Sequence, residues 1–335
     1  IQQLLDEQPD TPPEWADWLS QMEREADDLI RRLRTTASKS EGPGEADRWA
    51  EALHAMITER QAEVAGLIAD NKAADHHDAI VPPELAARIN RLIGLAESMG
   101  AAMDFRPLYK TERHLYAIGA NLSQDQLDGA CYDLLASESC LTSYLTVARG
   151  DAPRRHWFHL GRPFIWEAGR TGLISWGGTM FEYLMPRLLL RSLPKTLLSE
   201  ACETAVARQI EYGRQLGIPW GVSESAFSAQ YREGDYRYQS FGVPGLGLKR
   251  GLEKDRVVAP YATVMATMIA PREALANFRR LASEGAEGPY GFYEAVDYTP
   301  DRLAHHQHAA VVKSYMAHHQ GMGLVALNNV VNDNP

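Results

Sequence analysis

The stretch from Pro219 to Arg250 carries the residue types best suited to chemistry in this sequence. One carboxylate, Glu224, stands between two serines just after a Trp-Gly pair. The chain continues through five aromatic residues, Phe227, Tyr231, Tyr236, Tyr238 and Phe241. Because the stretch has almost no aliphatic periodicity, we predict a surface or cleft loop held by a rigid scaffold. Aromatic faces beside a carboxylate suit sugar rings, whereas the alternative is a structured glycine-rich crossover loop without a ligand.

A second carboxylate, Glu138, is predicted to lie within the apolar stripe of a helix from about Cys131 to Ala148. The stripe consists of Leu134, Leu135, Leu141 and Leu145. A carboxylate in that position must be paired, protonated or open to a cavity, because burying a bare charge is costly. A desolvated carboxyl has a raised pKa, as a general acid at neutral pH requires. The alternative is a structural acid that is paired with a core arginine or hydrogen-bonded.

Further residues are candidates for sugar contacts, because rings stack on sugars and polar groups bond to hydroxyls. These candidates are Trp157, Arg162, Trp176, Glu182, Tyr238, Gln239, Tyr293, Glu294 and His319. An ordinary packing role is an alternative of equal weight for most of them. For Glu182 the better interpretation is a carboxylate in the first turn of a helix, where the helix dipole favours negative charge.

Five histidines near the end of the chain, His305, His306, His308, His318 and His319, raise the question of a metal site. No HExxH motif, cysteine pair or tight carboxylate triad accompanies them. We therefore predict no metal and no cofactor. His319, on an apolar helix face, is interpreted as a hydrogen-bonded core or cleft histidine.

Composition limits the other classes of function. The 335 residues carry a net charge of −10, and no basic run stands out, which argues against nucleic acid and anionic membranes as partners. Three cysteines do not form a disulfide framework, and this favours a reducing compartment. No signal peptide and no apolar run of about 18 residues is present. Since the sequence begins at Ile1, we expect it to be a piece of a longer protein.

The elements that must position the two carboxylates are mainly helices. Three amphipathic helices are predicted in the first 104 residues: one starting at Thr11, one from Trp49 to Leu67, and one after Pro83. Their apolar stripes are predicted to face a core, with the helical region packing on the rest of the chain. Residues 105–335 are predicted to form the catalytic region, continuous with the N-terminal helices in one domain.

In the second region, short hairpins alternate with helices. Hairpins are predicted around Thr111 and between Phe164 and Ser175. Helices are predicted at 197–216, 259–269, 272–284 and 311–331, with the aromatic and acidic segments in the connections between them. This is the layout of an α-helical toroid whose loops at one end build a cleft.

Several long motifs then resemble one family, the glycoamylase-like cyclization domain of cyclic β-1,2-glucan synthases. The similarity covers roughly residues 105–331, and the motifs occur in the same order. They are Tyr132–Glu138, His156–Pro163, Ser175–Pro186, Gly221–Ser225, Phe241–Gly251 and Ser314–Met322.

The resemblance implies an (α/α)6 barrel with short β-hairpins in its connecting loops and extra N-terminal helices. It implies the middle part of a large enzyme at the cytoplasmic side of the bacterial inner membrane. Flanking glycosyltransferase and phosphorylase-like domains would polymerise glucose and trim the chain length. This part would cleave linear β-1,2-glucan and join its non-reducing end to the cut, forming a ring with retention of configuration.

The resemblance also implies catalytic roles, with Glu224 as nucleophile and Glu138 as acid/base. The residues themselves favour the same division. Glu224 in a polar loop is expected to stay ionised, and Glu138 in an apolar stripe to hold its proton. Direct retaining chemistry requires carboxyl groups roughly 5–5.5 Å apart. Two alternatives remain: an endo-β-1,2-glucanase with water as the acceptor, and a non-catalytic glucan-binding domain.

Overall fold

The computed structural model describes residues 12–36, 53–55, 57–58, 60–62, 64–65, 83–231 and 234–332. Contacts divide the chain into two compact units, Ile1–Met103 and Asp104–Pro335. Both units contain helices, and short strands occur in the second unit. Among the described residues, no helix combines the length and apolar character needed to cross a membrane.

In the first unit, helix α1 spans Pro12–Thr36. It buries Leu19, Met22 and Ala26 in a small cluster with Ile57. The predicted second helix lies partly outside the described residues, and its described positions between 53 and 65 are helical.

Helix α2, Pro83–Ala102, forms where the third N-terminal helix is predicted. Several side chains of its apolar stripe are exposed, and the prediction that this stripe packs on the rest of the chain stays a prediction. Leu92 is 64% exposed and Met99 is 60% exposed. Helical periodicity identifies an apolar face, but it does not say whether a partner covers that face.

The second unit contains seven α-helices among its described residues, and their bounds follow. They are α3 Cys140–Arg149, α4 Arg155–His159, α5 Met180–Leu184, α6 Leu197–Leu216, α7 Pro260–Ala266, α8 Pro271–Ser283 and α9 Ala317–Val331. Helix α6 begins at a capping box, in which the Thr196 hydroxyl accepts from the Ser199 amide, and it ends at Gly217 in the left-handed conformation. These local stop and start signals explain why the bounds of α6 match the prediction.

Strands of two to six residues link these helices. They are β1 Tyr109–Lys110, β2 Leu115–Ala117, β3 Ala120–Asn121, β4 Gln126–Leu127, β5 Cys131–Tyr132, β6 Phe164–Glu167, β7 Arg170–Leu173, β8 Ser225–Gln230, β9 Tyr236–Gln239, β10 Val257–Val258, β11 Glu287–Gly288, β12 Gly291–Phe292, β13 Ala295–Asp297 and β14 Ala310–Val312. All paired neighbours are antiparallel in the described part of the chain. The predicted hairpins β1–β2 and β6–β7 are confirmed, with Tyr109 opposite Tyr116 and Phe164 opposite Leu173.

Two predicted helices begin later than their periodicity indicates, because the residues at the start of each prediction pair with other strands instead. Cys131 pairs with Ala117, and Leu134 forms a bridge with Gly161, so α3 begins only at Cys140. Ala310–Val312 pairs with Ala295–Asp297, so α9 begins at Ala317 rather than near Val311. Glu138 therefore lies in a turn before a helix and not within a helical stripe.

A charged group ties the sheet β10–β13–β14 to the hairpin β8–β9. Arg302 Nε donates to Asp297 Oδ2 at 2.7 Å, and its NH1 donates to Asp255 Oδ1 at 2.5 Å. The Asp297 side chain is fully buried and also accepts from the Ser228 amide of β8 at 3.1 Å. The Arg302 guanidinium lies 4.9 Å from the ring centre of Phe227. The Arg302 guanidinium thus contacts two carboxylates and the ring of Phe227 in the hairpin.

Replacing Arg302 by methionine should lower the free energy of unfolding by about 3 kcal/mol, because Asp297 would stay buried without its cation. Urea denaturation measures this loss. The matched control is Arg170→Met, whose ion pair with Glu203 is largely exposed and should contribute less than about 1 kcal/mol. Equal losses for the two variants would contradict the structural role given to Arg302.

Candidate active site

Glu138 lies on a tight serine turn in front of α3. The Ser137 hydroxyl donates to Glu138 Oε2 at 3.1 Å, and the Ser139 amide donates to the Ser137 hydroxyl at 3.2 Å. Before the turn, the Gly161 carbonyl accepts from the Leu135 amide at 2.9 Å. Glu138 itself is partly exposed, whereas Leu135, Ala136 and Ser137 are buried. A rigid turn therefore presents this carboxylate to open space.

Glu224 follows a buried segment that helices hold by hydrogen bonds. Gln209 of α6 donates to the Val222 carbonyl at 2.7 Å and accepts from the Val222 amide at 2.8 Å. Asn277 of α8 does the same for Trp220, at 2.8 and 3.1 Å. Buried side-chain amides here replace the backbone partners that the segment lacks. The loop predicted to be a cleft loop is thus a fixed segment leading into the hairpin β8–β9.

Close packing of two glycine segments shapes the other side of the site. A Cβ atom on Gly242 would overlap the carbonyl group of Gly177, and one on Gly247 would overlap the amide of Gly178. Leu248 donates its amide to the Ser175 carbonyl at 3.0 Å. The absence of side chains lets the two backbones lie against each other.

Replacing Gly242 by alanine should therefore disturb the fold around Glu224 and reduce the yield of folded protein at least about 10-fold. The physical reason is that the obstructing atoms belong to backbone, which cannot rotate away. The yield of folded protein and its thermal unfolding measure the effect. Gly129→Ala is the control, since a Cβ atom added there would meet nothing within 4 Å. Similar behaviour of the two variants would contradict this reasoning.

Glu182 completes a capping box at the start of α5. Its carboxylate accepts from the Ser175 hydroxyl at 2.9 Å, the Gly177 amide at 2.8 Å and the Thr179 amide at 3.0 Å. In return, the Thr179 hydroxyl accepts from the Glu182 amide at 3.1 Å. Burial raises the pKa of Glu182, and the three donors oppose that rise. These contacts are those of a helix-capping acid, and contact with a sugar stays a prediction.

Glu224 lies in the electric field of two other carboxylates. Burial, the largest cause, and the charges of Glu138 and Glu182 together raise the pKa of Glu224 to about 7. The hydroxyl of Ser240 and the charge of Lys249 act in the opposite direction. With a pKa of about 7, Glu224 is divided between its neutral and ionised forms at neutral pH, so the expectation that it stays fully ionised does not hold. Its polar sequence neighbours do not compensate for burial beside like charges.

The pKa of Glu224 has a consequence for stability. Its folded-state value of about 7 lies above the ordinary 4.5, so the folded chain holds this proton more tightly than the unfolded chain. The stability that the proton contributes is complete below about pH 4.5 and is lost as pH rises through about 7. Between pH 5 and pH 8, the free energy of unfolding of Glu224→Gln should rise by about 1 kcal/mol relative to that of the wild type, after a discount for solvent screening. Chemical unfolding of both proteins at pH 5 and at pH 8 measures this change. The prediction would be contradicted if the two proteins differed in stability by the same amount at both pH values.

Three predicted sugar-binding residues border one cavity of about 610 Å³. These are Trp157, Arg162 and Glu182, and Ser137 of the Glu138 turn lies on the same cavity. The Arg162 guanidinium donates to the carbonyl groups of Trp157, at 2.6 Å, and Leu160. Arg162 thus caps the end of α4, and the sugar contacts of Trp157 and Arg162 stay predictions.

Three other candidates lie on the segments that flank Glu224. Trp176 is 65% exposed, and its carbonyl accepts from the Lys249 amide at 2.9 Å. Tyr238 is partly exposed on β9, opposite Ala226. Gln239 is opposite Ser225 and donates to Asp255 at 3.3 Å. The exposed faces of Trp176 and Tyr238 are open to stacking by a sugar.

The last three candidates border a smaller cavity of about 200 Å³. Tyr293 is partly exposed, with its ring centre 5.2 Å from that of Tyr315. Glu294 and His319 are buried and bonded to each other, with His319 Nδ1 2.9 Å from Glu294 Oε1. Within the described ranges, no group of three or more histidine, cysteine or acidic side chains could hold a metal ion.

A family model named Glycoamylase, with the description "Putative glucoamylase", matches residues 134–334. This match covers more than half of the chain and includes both Glu138 and Glu224. The chain belongs to the glycoamylase family.

Two individual proteins are also similar to this glycoamylase-family chain. Cyclic beta-(1,2)-glucan synthase NdvB of Rhizobium meliloti (strain 1021) is 44% identical over 303 residues, which is 90% of this chain. The chain spans about a tenth of the length of that relative. An endo-beta-1,2-glucanase from Chitinophaga pinensis, solved with sophorotriose and glucose, superposes with a TM-score of 0.48 and 18% identity. The superposition covers 82% of this chain and 64% of the solved chain.

Sequence reasoning missed several residues that build the site of this family member. Ser175 donates to the Glu182 carboxylate, and Ser240 and Lys249 lower the pKa of Glu224. Tyr261 donates to the backbone carbonyl of Glu224, and Gln209 and Asn277 hold the segment before Glu224. Ser175 stands at the start of the motif Ser175–Pro186, so its position carried a signal. The roles of the Gln209 and Asn277 side chains could have been suspected, because a polar side chain on the buried face of a helix needs a hydrogen-bond partner.

Proposed function

We propose that this chain is a retaining β-1,2-glucan transglycosylase that cyclizes linear β-1,2-glucan by intramolecular transfer. Membership of the glycoamylase family and 44% identity to a cyclic β-1,2-glucan synthase support the substrate and the reaction class. The observation that carries the proposal is the electrostatic coupling of Glu138 and Glu224, in which the charge of one raises the pKa of the other. Two carboxyl groups close enough for the charge of one to act on the other are what glycoside transfer requires.

We propose that the two carboxylates exchange the catalytic roles expected from the sequence. With a pKa of about 7, close to neutral pH, Glu224 is protonated in a large fraction of molecules and suits the general acid that protonates the leaving oxygen. Glu138, which a serine hydroxyl contacts, then attacks the anomeric carbon and forms the glycosyl-enzyme. Glu224, now ionised, takes the proton from the incoming sugar hydroxyl. The ring closes with retention of configuration.

Azide distinguishes these roles. If Glu138 is the nucleophile, Glu138→Gly with azide and an activated β-glucoside should give the α-glycosyl azide, because azide attacks directly with inversion. Glu224→Gly should give the β-glycosyl azide, because azide replaces the acceptor in the second step. NMR of the anomeric proton identifies the products. The opposite pattern would restore the assignment implied by the resemblance.

The wider context is also part of the proposal. An (α/α)6 barrel is supported by the way helix α7 packs against both α8 and α9 and α5 packs against α6. Residues 1–104 would form a helical region before the catalytic region 105–335. We also propose flanking domains for glucan synthesis and phosphorolysis, at the cytoplasmic side of the inner membrane, as the resemblance of the motifs implies. The chain spans only about a tenth of the length of the synthase to which it is similar.

The test is incubation of the chain with linear β-1,2-glucan, followed by digestion with an exo-acting β-glucosidase. Cyclization should leave a resistant product with no reducing end. Linear products with new reducing ends would mean that water is the acceptor and that the chain is an endo-glucanase. Binding of linear glucan with no turnover would instead indicate a non-catalytic glucan-binding domain.

A further inference from the structure

A buried acid–histidine pair lies behind Glu224. The side chains of Glu294 and His319 are each 1% exposed, and His319 Nδ1 lies 2.9 and 3.0 Å from the two carboxylate oxygens of Glu294. The ring of Tyr261 stacks on that of His319, with centres 3.7 Å apart and an interplanar angle of 11°. A pair buried this completely has little surface left for a sugar.

We propose that Glu294 and His319 are positioning residues that hold Glu224 in place and orient the hydroxyl of Tyr238. The inference rests on the proposed function, in which Glu224 is catalytic. It gives the two residues a role different from the direct sugar contact expected from the sequence.

The first connection to Glu224 runs through the backbone. Glu294 Oε1 accepts from the amide of Ala226, two residues after Glu224, at 3.2 Å. The Tyr261 hydroxyl, whose ring lies on His319, donates to the carbonyl of Glu224 at 3.0 Å. The same hydroxyl lies 2.9 Å from the hydroxyl of Ser223. The pair therefore restrains the chain on both sides of Glu224.

The second connection runs through the far nitrogen of His319. A carboxylate only accepts hydrogen bonds, so Nδ1 of His319 must carry the proton that it shares with Glu294. In the neutral ring Nε2 is then an acceptor, and the Tyr238 hydroxyl lies 3.5 Å from it. Glu294, Tyr238, Tyr261 and His318 are the groups that face the imidazole. The carboxylate thus determines the direction in which the Tyr238 hydroxyl points.

That direction matters because Tyr238 pairs with Ala226, two residues after the proposed acid Glu224. Burial is the first cause that raises the pKa of Tyr238, and the charges of Glu224 and Glu294 add to it. A neutral hydroxyl that donates to His319 turns its lone pairs away from that bond and toward the open side of the site. Positioning of this kind affects the chemical step more than the binding of a long glucan.

Kinetics separate positioning from sugar contact. Glu294→Ala should lower kcat about 100-fold, and Glu294→Gln should recover part of it, because the amide oxygen still accepts from Ala226. The dissociation constant for linear β-1,2-glucan, measured by calorimetry in the inactive Glu224→Gln background, should change less than about 3-fold. Tyr261→Phe keeps the stacked ring but loses the hydroxyl, and should lower kcat about 10-fold. Glu287→Gln and His305→Gln, both exposed, serve as controls and should match the parent.

Nitrogen NMR of the unsubstituted chain gives a readout that needs no variant to fold. With ¹⁵N-histidine, the resonance of His319, assigned through the close contact of its ring with that of Tyr261, should show a protonated Nδ1 and a bare Nε2. A protonated Nε2 would overturn the orientation given to Tyr238. Wild-type kcat in Glu294→Ala, or a tenfold weaker glucan affinity, would overturn the positioning role. More than a tenth of the wild-type kcat in Glu224→Gln would instead refute the proposed catalytic role of Glu224, so the two failures are distinguishable.

Discussion

Replacing Glu224 by glutamine should lower kcat for linear β-1,2-glucan about 1,000-fold while the fold is retained. Glutamine has the shape of the acid but cannot give a proton to the leaving oxygen, and general acid catalysis commonly contributes a factor of this size. The backbone of Glu224 remains held by Tyr261, so the variant should unfold cooperatively like the wild type. Release of new chain ends and of cyclic product measures the activity.

The control for this experiment is Glu287→Gln, which removes one exposed carboxylate from β11. A Glu224→Gln variant that keeps more than a tenth of the wild-type kcat would remove Glu224 from the mechanism. The test therefore addresses the proposed chemistry directly and does not depend on which acid is the nucleophile.

Replacing Glu138 by glutamine should lower kcat about 10,000-fold, because loss of a covalent nucleophile is rarely compensated by other groups. The same change should lower the pKa of Glu224, since one of the two negative charges that raise it is removed. Carbon-detected NMR of labelled glutamate carboxyls, with Glu224→Gln to assign the resonance, measures that second effect.

The pKa of Glu224 in Glu138→Gln tests whether the two carboxyl groups are close together, and the kcat of this variant tests whether Glu138 is the nucleophile. An unchanged pKa of Glu224 would mean that the carboxyls are too far apart to act on one sugar, whatever the activity. Activity close to that of the wild type, with a lowered pKa, would mean that Glu138 tunes Glu224 but does not attack. Glu182→Gln is the informative comparison, because it should also lower the pKa of Glu224 but removes a helix cap.

The sequence by itself determined those features that depend on neighbouring residues. The bounds of α6 follow from its capping threonine and its terminal glycine, and the hairpin β6–β7 follows from short alternating strands. The motifs around Glu138 and Glu224 were sufficient to identify both carboxylates as candidates. Their functional roles could not be read from local chemistry, because the serines beside Glu224 suggested an ionised acid.

Only the tertiary structure decided the environment of these residues. Pairing of Cys131 with Ala117 and the bridge from Leu134 to Gly161 move Glu138 out of its predicted helix and onto a turn. The pKa of Glu224 depends on Glu138 and Glu182, and its backbone position depends on Gln209, Asn277 and Tyr261. Periodicity and capping report contacts within a few residues along the chain. Burial and charge at the site come from segments far apart in the sequence, and these contacts exist only once the chain has folded.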